Sequence, residues 1–471
     1  MTEREIGYMS AFDMAAAIKA KKLSPVEVVE AILTRIERLN PKVNAYCTVL
    51  AESARREAKD AETAVMKKRR LRPLHGVPVS IKDLIFTKGV RTTFGSKIYE
   101  DFIPPEDAVV VERLRAAGAI IVGKTNTPEF GFMGVTDNLI FGPTRNPWNL
   151  GLTAGGSSGG AAAAVAAGLG PVAIGTDGGG SIRIPSSFCG VFGLKPSFGR
   201  VPRGPGFTDW QTLSHTGPIS RTVRDAALTM EIIAGRDNRD RHSLPGARLR
   251  YLSFLGGDLK GLKIAWSPDL GYAVVDPQVL EITSKAVGVF EMLGAKLEAT
   301  DPPAGNPGMA FTRTWGIMLA TRYGSKLAEW REQMNPRLVA MIERYMSRSV
   351  DEFAQAAVVR EEYYMAMRSF FEKYDLLLTP SVAVPPFEVG KFEITEIAGV
   401  KGSPALDWNP FTYPFNFTGQ PVASVPCGWT ADGRPVGLQI VGRPLDDVTV
   451  LRAAAAFEQA SPWADKEPPL D

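Results

Sequence analysis

Histidine and cysteine are both scarce in this chain. Three histidines (His75, His215 and His242) in 471 residues leave few candidates for an imidazole base. A serine–histidine–aspartate arrangement would have to recruit one of them beside its nucleophile, and the sequence excludes none of the three. The three cysteines (Cys47, Cys189 and Cys427) are odd in number and far apart, so they form neither a disulfide framework nor a zinc site, and reduced thiols are expected. Charge of one sign is missing too. A formal net charge of +3 gives no field that would argue for nucleic acid or a membrane surface as a partner. No run of 18 apolar residues occurs, and the N-terminal MTEREIGYMSAFDMAAAIKAKK carries charges where a signal peptide needs an apolar centre. A cytoplasmic protein is therefore expected. Its 45% hydrophobic and 22% charged residues are those of an ordinary globular chain with a sizeable core. Length alone would allow two or three domains, yet internal repeats and low-complexity linkers are absent, so one domain over 1–471 is expected.

Glycine, in contrast, is concentrated in one place. Between Gly155 and Ser181, 10 of 27 residues are glycine, against 46 of 471 overall. An alanine-rich helical run (160–167) and an apolar strand-like run (171–174) separate these glycines, so the stretch reads loop, helix, strand, loop, with serines at both loops. Glycine lets a backbone approach a ligand without a Cβ in the way. In Gly178-Gly179-Gly180-Ser181 several successive N–H groups could line one concavity, an anion nest. For a catalyst attacking a carbonyl, such a nest is an oxyanion hole, and a serine closing the turn is placed to be the nucleophile. Phosphate binding is the competing reading, but neither G-x-x-x-x-G-K-[ST] nor a G-x-G-x-x-G with its acidic partner is present.

Elsewhere the pattern alternates between helix and strand. Ser10 with Asp13 opens a first helix. Ser24-Pro25-Val26-Glu27 opens a second, as N-cap, proline at the first helical position and acidic third residue. A charged helix is expected over 51–70. Val77, Val79 and Ile81 alternate with Pro78, Ser80 and Lys82, so Lys82 faces away from the three aliphatics. Such a lysine is either a snorkelling surface residue or a buried base. Helix 108–117, strand 119–122, helix 222–235, strand 262–266, helix 276–293, strand 295–300, a helical stretch over 308–374, a buried strand in 374–384, a hairpin turning at 431–433 and helix 447–459 follow. This alternation argues for an α/β fold with helices on both faces of a largely parallel sheet.

GGSSGG followed by TDGGGSIRIPSSFCGVFGLKP resembles the signature of the amidase signature family of serine hydrolases. HGVPVSIKD, GAIIVGKTNTPEF, NPWN, GPISRTVRDAALTM and PFNFTGQPVASVPCG…GRPVGLQIVGRPLDD extend the resemblance over most of the chain. It implies one large mixed β-sheet sandwiched between helical layers, with N-terminal helices over 10–70 and a variable helical insert at about 308–374 near the substrate entrance. It further implies a Ser–cis-Ser–Lys triad: Ser181 as nucleophile, Ser157 as bridging serine after a cis peptide, and Lys82 as base. Burial of the amine would lower its pKa and make it able to accept a proton. The oxyanion donors would be the backbone N–H groups of Gly178, Gly179, Gly180 and Ser181. Ser158, Thr176, Asp177 and Arg183 would support the triad, with Ser158 orienting Lys82; the assignment that exchanges Ser157 and Ser158 stays open. The usual family run carries threonine where this chain has Gly178, a change expected to loosen the hole or enlarge the acyl pocket. Gly131, Phe132, Met133 and Ile184 would wall the substrate pocket, joined by Trp210 and the Gly204-Pro205-Gly206 loop.

The reaction expected is cleavage of amide C–N bonds, with esters and carbamates also within its chemistry, through an acyl-enzyme and without metal or organic cofactor. Homodimerisation is a family-level expectation. The alternative is a glutaminase-type subunit of a tRNA-dependent amidotransferase complex. Those subunits resemble GGSIRQP; Ile184 stands in place of the glutamine here and favours a free-standing enzyme. A non-catalytic scaffold is the third reading, and the presence of all three triad positions speaks against it.

Overall fold

Short runs of β-branched and aliphatic residues, buried on both faces, build the central layer, as expected of strands covered by helices on each side. The computed structural model describes residues 1–206, 212–246, 249–401 and 408–470. Eleven strands form one sheet: β1 (Tyr46–Val49), β2 (Pro78–Lys82), β3 (Ile120–Thr125), β4 (Val172–Asp177), β5 (Phe192–Lys195), β6 (His215–Ser220), β7 (Lys263–Trp266), β8 (Lys296–Ala299), β9 (Leu376–Pro380), β10 (Val422–Trp429) and β11 (Pro435–Gly442). Their spatial order is β1-β3-β2-β4-β6-β5-β10-β11-β9-β7-β8. The sheet is mixed. Only β3-β2-β4 and β9-β7-β8 run parallel, and the other six of ten pairings are antiparallel. The largely parallel sheet suggested by helix–strand alternation is thus corrected: β5 and β6 lie side by side and antiparallel, as do the hairpin strands β10 and β11. Strands β1, β5 and β6 carry too little periodicity to be read in advance; β6, HTGPIS, even holds a glycine and a proline, residues that argue against an interior strand.

The two faces separate along each strand with the expected period of two. Val79 and Ile81 of β2, Ile121 of β3, and Val172 and Ile174 of β4 join one core with Val111, Leu114, Val223, Met230 and Phe457. Ile120, Val122 and Ala173 join the opposite core with Ala161–Ala167 and with Val29, Ile32 and Ile36 of the N-terminal helix Pro25–Val43. That helix begins as its sequence indicates, with a capping box between Ser24 and Glu27 and Pro25 in the first turn. Ser10 caps Ala11–Lys19, although a short helix, Glu3–Gly7, precedes it, and the charged helix after β1 stops at Met66. The 308–374 stretch forms helices Gly308–Tyr323, Leu327–Trp330, Pro336–Met346 and Val350–Phe370. No helix among the described residues is long and apolar enough to cross a membrane.

Candidate active site

The site forms where the parallel strands β2 and β4 end. Their register pairs Ile81 with Ile174, so Lys82, the last residue of β2, and Thr176, near the end of β4, emerge at the same edge, the usual location of ligand crevices in such sheets. Lys82 is fully buried on the face opposite to Val79 and Ile81. Its Nζ lies 2.7 Å from Ser157 Oγ, 2.9 Å from Ser158 Oγ and 2.9 Å from Thr176 Oγ1. No carboxylate pairs with it among the described residues. Burial pushes its pKa well below the ordinary lysine value, opposed only by the more distant charge of Asp177, which favours the uncharged amine less than burial does.

The contacts of Ser158 limit how its hydroxyl can act. Ser158 Oγ donates to Thr176 O at 3.2 Å and accepts from Thr176 N at 3.3 Å, so toward Lys82 it acts as an acceptor. It also leaves the following helix, Gly159–Ala166, without a side-chain cap, although it occupies the N-cap position. Ser157 Oγ has Lys82 as its one partner among the described residues, and its hydroxyl hydrogen is free to turn to the amine lone pair. Lys82 Nζ donates to Ser157, Ser158 and Thr176 as a cation with three N–H groups would; as a neutral amine it has two N–H groups and one lone pair, and the lone pair would take the hydrogen of Ser157. Ser157 follows Gly156 through a cis peptide bond. Gly131, with φ +70°, packs against it; a Cβ there would sit 3.3 Å from Ser157 Oγ and 2.7 Å from Leu84 Cδ1.

Ser181 borders two cavities. One is lined by Ser157, Thr176, Gly178, Leu84, Phe86 and Tyr323, the other by Ile184, Phe132, Met133, Gly179, Phe311 and Trp408; Gly131, Ser181 and Trp315 border both. The turn before Ser181 is held from behind. Asp177 accepts from Ile182 N at 3.1 Å and from Gly180 N at 2.8 Å, and Thr412 Oγ1 donates to Gly179 O at 2.7 Å. Gly180 thereby departs from its expected role as an oxyanion donor, because its N–H is committed to a buried carboxylate. The N–H groups of Gly178, Gly179 and Ser181 have no acceptor among the described residues.

Asp177 and Arg183 pair with each other, both fully buried, at 2.9 Å. Burial alone would raise the Asp177 carboxyl, but the Arg183 guanidinium, and behind it Lys195 and Asn416, hold it far below the usual carboxylate range. All five guanidinium donors of Arg183 are used: two on Asp177, the others on Thr412 O, Gln439 Oε1 and Asn416 Oδ1. The turn is thus tied to β11 and to the short helix Pro414–Phe417. The histidines stand apart from Ser181: His75 bonds Ala61 O, His242 accepts from Arg241, and His215 sits between Lys195 Nζ at 3.2 Å and Asp177 O at 3.3 Å. Burial, then the neighbouring Lys195, keeps His215 well below its ordinary pKa.

A sequence model of the amidase family matches residues 27–451. The chain belongs to the amidase family. Over 476 residues it is 44% identical to the acylamidase of Rhodococcus erythropolis, covering 99% of this chain and 98% of that one. It is 38% identical over 495 residues to one of the subunits of the glutamyl-tRNA(Gln) amidotransferase of Carboxydothermus hydrogenoformans, covering 99% of this chain and 100% of that one. Among solved structures, a bacterial aryl acylamidase of the amidase signature family superimposes with a TM-score of 0.92 at 36% identity, covering 97% of each chain. A 6-aminohexanoate cyclic dimer hydrolase gives 0.90 at 31%, covering 98% of this chain and 99% of that one. The eleven-stranded sheet is the amidase signature fold.

In this amidase-family site Gly131, Phe132, Met133 and Ile184 all line the Ile184 cavity, and the Gly204-Pro205-Gly206 loop borders the Ser157 cavity; Trp210 lies outside the described residues. Gly178 does not open extra room. A Cβ at that position would meet Trp315 Cη2 and Cζ3 at 2.9 Å and Ser214 Oγ at 3.1 Å: the vacated space holds an indole. Phe311, Trp315, Thr412 and Gln439 went unread in the sequence. Phe311 and Trp315 carry only the i, i+4 spacing of a helix face, and the other two act through contacts more than 200 residues from Arg183 in sequence.

Proposed function

We propose that this protein hydrolyses linear amides with apolar acyl groups through an acyl-enzyme on Ser181, and that esters and carbamates of similar shape fall within the same chemistry. The observation that carries the reading is Lys82: a buried amine among three hydroxyls, with no carboxylate beside it and its pKa held down by burial. Such a group serves as a general base near neutral pH.

Ser181 Oγ, which shares a cavity with Ser157 but makes no hydrogen bond to it in the resting structure, turns to Ser157 as it attacks the carbonyl carbon; its proton passes to Ser157, whose own proton passes to Lys82 Nζ. The oxyanion that forms is met by the free amides of Gly178, Gly179 and Ser181. Collapse of the tetrahedral adduct breaks the C–N bond, and the proton held at Lys82 returns through Ser157 to the departing nitrogen. Water then repeats the sequence on the ester, releasing the carboxylic acid and restoring Ser181. Ser158 and Thr176 position Lys82, and Asp177 with Arg183 holds the turn.

The apolar Ile184 wall and the similarity to acylamidases favour a small-molecule amide over glutamine delivered within a tRNA-dependent complex. Purified protein should hydrolyse acetanilide-type amides and be labelled by a fluorophosphonate, and Ser181→Ala and Lys82→Ala should each lose both properties. Wild-type turnover in either variant removes the mechanism. Glutamine hydrolysis that appears only with co-purified partner chains replaces it with the amidotransferase reading.

A further inference from the structure

One face of the helix Gly308–Tyr323 lies across both cavities. Phe311, Trp315, Leu319 and Tyr323 recur every four residues, so they form one stripe along the helix. Phe311 borders the Ile184 cavity, Leu319 and Tyr323 border the Ser157 cavity, and Trp315 borders both. The indole is held in three ways. Its Nε1 donates to Phe132 O at 3.2 Å. Its ring stacks with Phe311 at 6.0 Å between centroids and 15° between planes. Its edge rests against the bare Cα of Gly178, where any Cβ would intrude at 2.9 Å. Gly178 is not among the residues with positive φ, so its backbone does not demand glycine. What demands glycine is the indole.

We propose that Trp315, admitted by Gly178, divides the space at Ser181 into a leaving-amine chamber on the Ser157 side and an acyl chamber on the Ile184 side, and so sets how large a group each chamber accepts. This rests on the amide-hydrolase reading, because the direction follows from proton delivery. The departing nitrogen takes its proton from Ser157, which borders one cavity only, at about 110 Å³. The other substituent of the carbonyl carbon is then directed into the second cavity, at about 220 Å³, walled by Phe132, Met133, Ile184 and Trp408. Trp315 makes no contact that the proton relay requires; it is a specificity-determining residue.

The test varies the two sides of the substrate independently. One series keeps aniline and enlarges the acyl group from acetyl to benzoyl. A second keeps acetyl and enlarges the amine from methylamine to naphthylamine. Trp315→Ala should raise the benzoyl-to-acetyl ratio of kcat/KM by about tenfold or more, the lower end of what a hydrophobic pocket discriminates, and should flatten the amine series. Gly178→Ala should lower kcat/KM by about tenfold in the presence of Trp315 and by far less in the Trp315→Ala background. A purely structural role for Trp315 would give lowered yield with unchanged ratios. Unchanged ratios in folded Trp315→Ala that still reacts with a fluorophosphonate at Ser181, or an equal effect of Gly178→Ala in both backgrounds, overturns the partition. Failure of the wild type to react with that probe or to cleave any amide instead overturns the catalytic reading, and the chamber assignment with it.

Discussion

At the scale of single residues the proposed chemistry turns on a lysine whose pKa burial pushes well below its ordinary value. Below its depressed pKa, Lys82 holds a proton and cannot take one from Ser157, so kcat/KM should fall on the acid side through that pKa and be flat above it. Lys82→Arg, whose guanidinium stays charged, should be inactive at every pH. Stability follows the same group. Above its depressed folded-state pKa Lys82 is neutral when folded and, up to about pH 10.4, charged when unfolded. Between the two pKa values the unfolded chain binds the extra proton, so stability rises with pH across that window. Denaturant titrations from neutral to alkaline pH should show this slope reduced, by at most one proton, in Lys82→Met; Lys195 and Lys124, also lowered by burial, contribute to the remainder. The two neighbouring serines should separate cleanly. Ser157→Ala removes the proton path and should cost about 10³–10⁴ in kcat or more, on the scale of losing a member of a catalytic triad. Ser158→Ala removes one of the hydrogen bonds that aim the amine and should cost far less, with the acid limb of the pH profile displaced. Arg183→Met leaves Asp177 as a buried charge without its partner, which should cost about 3–5 kcal/mol of stability in urea unfolding.

At the scale of elements, two helices border the site. The helix Gly159–Ala166 is alanine-rich and entirely buried, small enough to pass close to neighbouring backbone. At Gly160 a Cβ would meet Asn126 N at 2.3 Å and Ala45 O at 2.5 Å. Helix propensity alone favours Gly160→Ala by about 1 kcal/mol; the close approach reverses that sign. Thermal unfolding should therefore show a lower Tm for Gly160→Ala and lost activity, since Ser157 and Ser158 sit at the start of the same helix. The helix Gly308–Tyr323 packs on the glycine turn, with Phe311 against Gly179 and Trp315 against Gly178. The glycine turn is thus shaped by an element whose own sequence carries no motif.

At the scale of the whole molecule, one sheet collects its functional groups from distant parts of the chain. Lys82 ends β2, Asp177 ends β4, Gln439 lies in β11, and Arg183 joins the last two. The sheet runs without interruption from β1 to β8, which leaves no seam along which one half could unfold alone. Far-ultraviolet circular dichroism and tryptophan emission should accordingly report coincident unfolding transitions, and Arg183→Met should shift both together.

Much of this was written locally. GGSSGG, TDGGGSIR and SIKD each combine residues that act within a few positions of one another, so loop, helix start and strand end could be read directly, whereas the roles proposed for Lys82, Ser157 and Ser181 came only with the family resemblance those motifs carry. The family fold came with those motifs. The strand directions did not, because β5 and β6 are short and their pairing is decided by neighbours elsewhere in the sheet. Nor could the chain alone say that Gly180 gives its N–H to Asp177, that Ser158 spends its hydrogen on Thr176, or that the space beside Gly178 is filled by Trp315. Those outcomes depend on which groups, far apart in sequence, compete for the same donor or the same volume, and only the packed molecule brings the competitors together.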